Sequence, residues 1–246
     1  MPPASESLPP FVLFSGEHLV TLLVIVSVWV ALVFRGRNHA AEAAVRGGRV
    51  LAVILVAYDL VETWIRWIVL DLPLSHVLPL HICGILFYVS AYTLWTRRPL
   101  AYEITYFWTF AGTSHSLITP DVATGFPTFR YFSFFISHGL LILAALYATF
   151  VLRLRPRPGS VWRALVAINL FAFGVGAANL VLDTNYMFLM AKPQASTLLD
   201  FLGPCPWSLL ALEALALTSF TLWYLPFWLR DRLGSGGTRN PEAASI

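Results

Sequence analysis

Charged residues are scarce in this chain. Only 12% of its 246 residues are Asp, Glu, Lys or Arg, whereas 58% are hydrophobic. Soluble domains carry about 25% charged residues. The low charge therefore excludes an ordinary soluble domain and indicates an integral membrane protein.

Lysine and cysteine are nearly absent. Of the 16 basic residues only Lys192 is a lysine, so the last apolar run has none to form a retinal Schiff base. The two cysteines, Cys83 and Cys205, form neither a Cys-x-x-Cys pair nor a zinc-type spacing. We therefore expect no light-sensing protein, no metal, no cofactor and no disulfide framework. The arginines lie between apolar runs, which argues against a nucleic-acid partner.

Long apolar runs dominate the chain. Seven of them, each near the about 20 residues that span a bilayer, cover 16–34, 50–70, 77–96, 99–119, 131–152, 161–184 and 207–228. This pattern predicts an all-α fold with seven transmembrane helices, and Ser15 is the expected N-cap of the first. We expect residues 1–13 to be an extracytoplasmic segment, 14–230 the membrane domain and 231–246 a disordered cytoplasmic tail.

The arginines favour one side of the membrane. Thirteen of them follow the odd-numbered apolar segments, whereas only Arg130 and Lys192 lie in the connections on the other side. Cytoplasmic loops are enriched in Lys and Arg, so the N-terminus is predicted outside and the C-terminus in the cytoplasm. The composition, rich in arginine, alanine and leucine, favours a multi-pass protein of a bacterial inner membrane.

The second apolar segment carries charges within a run long enough to cross a bilayer. Asp59, Glu62 and Arg66 have spacings of three and four, which place them on one helical face. Each such charge costs about 2.5–3.5 kcal/mol inside a membrane. Glu62 and Arg66 form either a structural ion pair or the organising pair of a functional site. Asp59 is the surplus acid, which can pair with a histidine.

Five other segments also carry ionisable or amide side chains. At about 1.5 Å per residue, most of them lie in the outer half of a hydrocarbon layer about 30 Å thick. We therefore expect a polar pocket open to the outer face. The candidates within the segments are His81, His115, His138, Asn179 and Glu213, those near the outer connections are Asp183 and Arg130, and the inner half holds chiefly Glu103 and Asn169.

Each candidate has a plain structural alternative. A buried histidine can act as a general base or simply bond two helices together. Cys83 can be a nucleophile only beside a base, which His138 supplies if their helices meet, and otherwise it is a small core residue. Asn179 and Asp183 can cap a helix end rather than contact a ligand. Arg130 contacts either a phosphate headgroup or only the membrane interface.

Several sequence blocks carry a resemblance to known families, namely LPLHICG, EITYFWTFAGTSHSLITPD, FPTFRYFSFFISHGLLILAALY, RPRPGS, NYMFL and DFLGPCPW. From about Phe14 to Pro226, the chain resembles the bacterial YwaF-like integral membrane family, whose function is largely unassigned. More distantly, it resembles the transmembrane protein 164 family. That family contains a lipid acyltransferase acting on ether phospholipids and is similar to membrane threonine hydrolases of fatty-acid esters. Those relatives use a Cys or Thr nucleophile on one helix and a histidine on a later one.

The resemblance implies roles for particular residues. The family histidine matches His138, and the pair formed by an acid and a basic residue matches Glu62 and Arg66. The histidine that follows the nucleophile matches His81. The nucleophile position itself matches Leu80, which has no nucleophilic atom.

This departure leaves two functional interpretations open. The first is a lipid-handling acyltransferase or ester hydrolase in which His138 is the base, assisted by Asp59 or His81. Water or Cys83 would then be the nucleophile, although Cys83 lies three positions beyond Leu80 and about 300° around a helix. The alternative is a small-molecule or proton-coupled transporter or binding protein that uses the same pocket. The expected partners are membrane lipid and a lipid or small-molecule ligand.

Overall fold

The computed structural model describes residues 8–191 and 207–234. Within these ranges the chain is helical and contains no β-strand. The all-α class expected from the apolar runs is confirmed. Cys205, Lys192 and residues 235–246 of the expected tail lie outside the described residues.

The described helices follow the apolar runs in order. They are α1 Gly16–Arg37, α2 Ala41–Trp64, α3 Ile82–Thr96, α4 Pro99–Trp108, α5 Ser114–Ile118, α6 Phe129–Leu146, α7 Ser160–Leu182 and α8 Trp207–Gly234. Turns of π-helix extend α2 over Ile65–Val69 and α6 over Tyr147–Val151, and a third, Thr109–Thr113, joins α4 to α5. Because α4 and α5 form one rod, the described residues make up seven rods.

Capping side chains define where helices begin. The Ser15 Oγ accepts a hydrogen bond from the His18 N–H at 3.3 Å, so the predicted N-cap of α1 is confirmed. The Thr128 Oγ accepts from the Tyr131 N–H in the same way at the start of α6. Such caps satisfy N–H groups that have no partner within the helix.

The first boundary that differs from the sequence prediction is the start of α2. This helix begins at Ala41 rather than near residue 50, so Arg46 and Arg49 lie on a helix and not in a connection. The alanine-rich stretch AEAAV has a high helix propensity, and the helix continues past the apolar run. The Arg49 guanidinium lies 5.4 Å from the centre of the Trp95 ring.

A second boundary differs at the start of α3. This helix begins at Ile82 rather than at residue 77, because Pro79 has no N–H to donate within a helix. The backbone of Pro79 packs instead against Gly84, where an added Cβ would lie only 2.8 Å from the Pro79 Cα. Glycine at this position therefore allows the connection to fold back onto the helix.

The exposed surface is apolar over long stretches. Among the described residues, four helices are long and apolar enough to cross a membrane, namely Gly16–Arg37, Phe129–Val151, Ser160–Leu182 and Leu210–Leu233. Buried side chains concentrate on α3, α4 and α6, whereas outer helices expose large apolar groups such as Leu23, Phe173 and Val181. Water does not favour such continuous apolar surface, whereas lipid does. The chain is a helical membrane protein.

Ion pairs gather the arginine-rich connections at one end of the bundle. The buried Glu103 carboxylate accepts hydrogen bonds from Arg157 at 2.9 Å and from Arg163 at 2.7 Å. Arg155 pairs with Asp231 at 2.7 Å. These contacts join α4, the connection between α6 and α7, and the end of α8.

Removing the Glu103 charge is expected to destabilise the fold. The Glu103→Gln variant leaves two guanidinium groups without their anion. The loss of unfolding free energy should lie between about 1 kcal/mol, the value of an exposed ion pair, and about 3–5 kcal/mol, the loss on breaking a buried pair. It should be intermediate because the two arginine side chains are 49% and 36% exposed. Thermal unfolding in detergent measures the effect. The matched variant Glu42→Gln removes an exposed carboxylate on α2 and should unfold like the parent protein, and an equal melting temperature for both variants would contradict the expectation.

Candidate functional site

The first turn of α3 and the middle of α6 bring a thiol and an imidazole together. Cys83 on α3 and His138 on α6 lie on packed helices, close enough for their side chains to interact electrostatically. His138 is buried, and Cys83 is half-buried. A nucleophile beside a base is the basic arrangement of covalent catalysis.

The His138 ring is oriented by its own helix. Its Nδ1 lies 2.8 Å from the Phe134 carbonyl oxygen, one turn earlier on α6. Because a carbonyl can only accept, Nδ1 carries the proton and the lone pair is on Nε2. The Phe134 ring stacks on the imidazole at 4.1 Å between centroids. His138 is therefore held in one orientation, and its neutral form presents Nε2 as the acceptor that a general base requires.

A π-turn supplies a hydroxyl beside the thiol. The Thr113 Oγ lies 3.8 Å from the Cys83 Sγ, and Thr113 ends the π-turn that joins α4 to α5. Such turns change the angular register of a helix and often occur at functional sites. The regular periodicity used to interpret the sequence does not reveal them, so the sequence analysis missed Thr113.

Glu62 forms the next layer of the site. Its Oε1 accepts a hydrogen bond of 2.6 Å from the Ser133 Oγ, and the Tyr58 hydroxyl donates to the Ser133 carbonyl oxygen at 2.9 Å. Glu62 also interacts electrostatically with His138. A carboxylate in this position stabilises an imidazolium, so Glu62 can support proton transfer to the ring. Ser133 and Tyr58 are further residues that the sequence analysis missed.

Asp59 has a different partner from the histidine expected. The Tyr88 hydroxyl donates a 2.7 Å hydrogen bond to its Oδ2. Tyr88 lies on α3, which packs along α2. This pair could not be predicted from the sequence, because a tyrosine in an apolar helix resembles any other core aromatic residue.

Arg66 does not form an ion pair with Glu62. Among the ion pairs of the described residues, none joins these two side chains. The π-turn Ile65–Val69 replaces the regular bonding pattern from Ile65 onward, so the spacing of four no longer places both on one face. Arg66 instead donates to the His76 carbonyl oxygen at 3.4 Å.

His81 belongs to the connection that precedes α3. It is exposed, and its Nδ1 accepts from the Met187 N–H at 3.3 Å. Its ring packs edge-on against Tyr186, at 5.0 Å between centroids. These contacts hold the segment after α7 in place and do not involve His138.

Asn179 and Asp183 order the same end of α7. The buried Asn179 side chain donates to the Tyr186 carbonyl oxygen at 2.9 Å and accepts from its N–H at 2.8 Å. The Tyr186 hydroxyl donates to the Ser75 carbonyl oxygen at 2.7 Å, and burial raises the pKa of this phenol above its ordinary value. Asp183 is exposed and ends α7 with a φ of 52°. Asn179 therefore makes the helix-end contacts of the structural alternative, and a ligand role for either residue stays a prediction.

The remaining candidates lie apart from the cysteine–histidine pair. His115 and Arg130 are exposed. Glu213 accepts a 2.8 Å hydrogen bond from the Asn169 side chain, so these two residues lie at one level and not in opposite halves of the bilayer. The helix α8 continues to Gly234, past the end of the predicted segment at residue 228.

The fold and the site thus define a helical membrane protein with a buried cysteine–histidine pair. A profile of the TMEM164 family matches residues 13–224, and the chain belongs to that family. An uncharacterized protein of Treponema pallidum (strain Nichols) is 28% identical over 151 residues, which cover 61% of this chain and 62% of that protein. The match therefore spans less than two thirds of the relative. No solved structure gave a significant match.

The contact with His138 should control the reactivity of the Cys83 thiol. We expect His138→Gln to slow alkylation of Cys83 severalfold, because the thiolate is the reactive form and its base is removed. The rate is measured by mass spectrometry with a small maleimide, in a Cys205→Ser background that leaves Cys83 as the reporter.

The matched control is His115→Gln, which changes an exposed histidine. It should leave the alkylation rate of Cys83 unchanged. Equal rates in the parent protein and in His138→Gln would show that the imidazole does not activate the thiol.

Proposed function

We propose that this protein transfers or hydrolyses acyl chains of membrane phospholipids, with Cys83 as the nucleophile and His138 as the general base. The observation that carries the proposal is the proximity of the Cys83 and His138 side chains on the packed helices α3 and α6, with the imidazole held by the Phe134 carbonyl. The family resemblance supports the same chemistry, because those relatives pair a Cys or Thr nucleophile with a histidine on a later helix.

The first half-reaction forms a thioester. The Nε2 of His138 takes the proton from the Cys83 Sγ, and the sulfur attacks the carbonyl carbon of a lipid ester. The Glu62 carboxylate stabilises the imidazolium that results. When the tetrahedral intermediate collapses, the carbon–oxygen bond breaks and the imidazolium protonates the departing lipid alkoxide. The acyl chain is then bound to Cys83.

The second half-reaction releases the acyl chain. His138 takes the proton from the hydroxyl of an acceptor lipid or from water, and the oxygen attacks the thioester carbonyl. The carbon–sulfur bond breaks, and the imidazolium returns its proton to the sulfur. An acceptor lipid gives acyl transfer and water gives hydrolysis, so access of water to Cys83 decides between the two outcomes.

Cys83 takes the role that the resemblance assigned to the position of Leu80. Leu80 is aliphatic and precedes α3, where its N–H donates to the Leu78 carbonyl oxygen at 2.8 Å. Cys83 carries the thiol that His138 contacts, three residues further on. Membership of the YwaF-like branch stays a prediction alongside membership of the TMEM164 family.

A groove between α2 and α3 supports a lipid substrate. Its volume is about 580 Å³, and apolar side chains such as Val56, Leu60 and Trp95 line it. Tyr88, which bonds to Asp59, also lines this groove. An acyl chain can therefore lie against the two helices that carry Cys83 and Glu62.

Acyl transfer is tested with the purified full-length protein and phospholipids that carry a labelled acyl chain. Loss of the nucleophile or the base should lower turnover by about 10²–10⁴-fold, so Cys83→Ala and His138→Ala should both be inactive. The parent protein should accumulate label that hydroxylamine releases, as expected for a thioester, and Cys83→Ala should not. The control His115→Ala should retain full turnover.

Full turnover in folded Cys83→Ala would overturn the proposed nucleophile. Absence of turnover in the parent protein, together with saturable ligand uptake into vesicles, would favour the transporter interpretation instead.

The orientation is part of the same proposal. We infer seven membrane crossings in a bacterial inner membrane, with the N-terminus outside and the C-terminus in the cytoplasm. The positive-inside rule supports this orientation, because thirteen arginines follow the odd-numbered segments. A fluorescent protein fused at the C-terminus should fluoresce, and alkaline phosphatase fused there should be inactive. Active phosphatase at that position would show that the C-terminus lies outside, which is the opposite orientation.

A further inference from the structure

A second groove lies at the arginine-rich end of the bundle, between α3 and the first turn of α4. It is separate from the cysteine–histidine pair and has a volume of about 640 Å³. Its walls are mainly apolar, and two arginines line its mouth. The residues that matter here are Val89, Tyr92, Leu100, Ile104, Arg98 and Arg157.

Positive charge at the mouth of this groove exceeds negative charge. Arg157 pairs with Glu103 through its Nε and Nη2, at 2.9 and 3.2 Å, but Arg163 pairs with the same carboxylate. Arg98 is exposed, and none of the ion pairs of the described residues involves its side chain. The Glu103 carboxylate is therefore shared between two guanidinium groups, and Arg98 adds a further positive charge to the groove lining.

The first turn of α4 adds to the attraction for an anion. Pro99 occupies the first position of the helix, and the Leu100 and Ala101 N–H groups that follow have no helical acceptor. All three residues line the groove. Free N–H groups and the helix dipole favour negative charge at such a terminus.

We propose that this groove binds an anionic phospholipid. The phosphate lies between Arg98 and Arg157, and one acyl chain follows the apolar wall along α3 towards Val89. The planar guanidinium of arginine matches the geometry of phosphate oxygens, and the apolar walls of the groove suit the hydrocarbon of an acyl chain. A free phosphate ion would fill only the mouth, whereas a lipid fills both parts of the site.

The lipid in this groove is not the substrate of the proposed reaction. At about 1.5 Å per residue, the end of α3 lies about 20 Å from Cys83. The ester bonds of a phospholipid adjoin its phosphate, so a lipid held by Arg98 cannot place an ester at the thiol. This lipid instead joins α3, α4 and the connection that carries Arg157, and its binding does not depend on acyl transfer.

Binding is tested on the full chain in nonionic detergent, by native mass spectrometry and thermal unfolding. Dioleoyl phosphatidylglycerol should bind and raise the melting temperature more than dioleoyl phosphatidylcholine does. Arg98→Gln should weaken phosphatidylglycerol binding roughly fivefold, the effect of one arginine near a membrane surface. Arg37→Gln removes the same charge at the end of α1, outside the groove, and should bind like the parent protein.

A third variant tests the acyl-chain part of the site. Leu100→Trp places a larger side chain on the groove wall at a position that is 48% exposed. This variant should weaken the binding of dioleoyl phosphatidylglycerol more than the binding of dihexanoyl phosphatidylglycerol. An equal loss of phosphatidylglycerol binding in Arg98→Gln and Arg37→Gln would overturn the proposal, because general charge attraction would then explain the binding. If inorganic phosphate raised the melting temperature as much as phosphatidylglycerol does, the ligand would not be a lipid. The acyl-transfer assay is a separate test, in which Arg98→Gln should still show turnover.

Discussion

A polar group removed from water must find its partner within the protein, and this constraint organises the whole bundle. Each such group in hydrocarbon costs several kcal/mol when it has no partner. The structure satisfies Glu103 with two arginines, Glu62 with Ser133 and Asp59 with Tyr88. Each pair crosses from one rod to another, so it also aligns the rods that carry it.

The same constraint prepares His138 for chemistry. Its Nδ1 proton is bound by the Phe134 carbonyl within α6, which leaves the Nε2 lone pair for a second partner. The Cys83 thiol lies near the ring and is the partner in the proposed mechanism. A bond that satisfies a buried polar group thus also selects the tautomer that a general base needs. Structure and proposed mechanism therefore rest on one contact.

The two ends of the bundle differ in chemistry. One end gathers arginines around Glu103 and opens a groove with a basic mouth, which suits a bound anionic lipid. Towards the other end, α3 begins with Cys83 in its first turn, opposite His138. The α3 helix connects the two regions, and its apolar grooves face lipid on both sides.

The amino-acid sequence by itself determined the membrane class, the helical fold and the Ser15 cap, because hydropathy and capping are local properties. It also named Cys83 as a nucleophile on the condition that two helices meet. Only the tertiary structure decided that they do. The Asp59 and Glu213 partners likewise depend on how each helix is rotated and shifted. Those variables are set by packing and by π-turns, which periodicity along one helix does not encode.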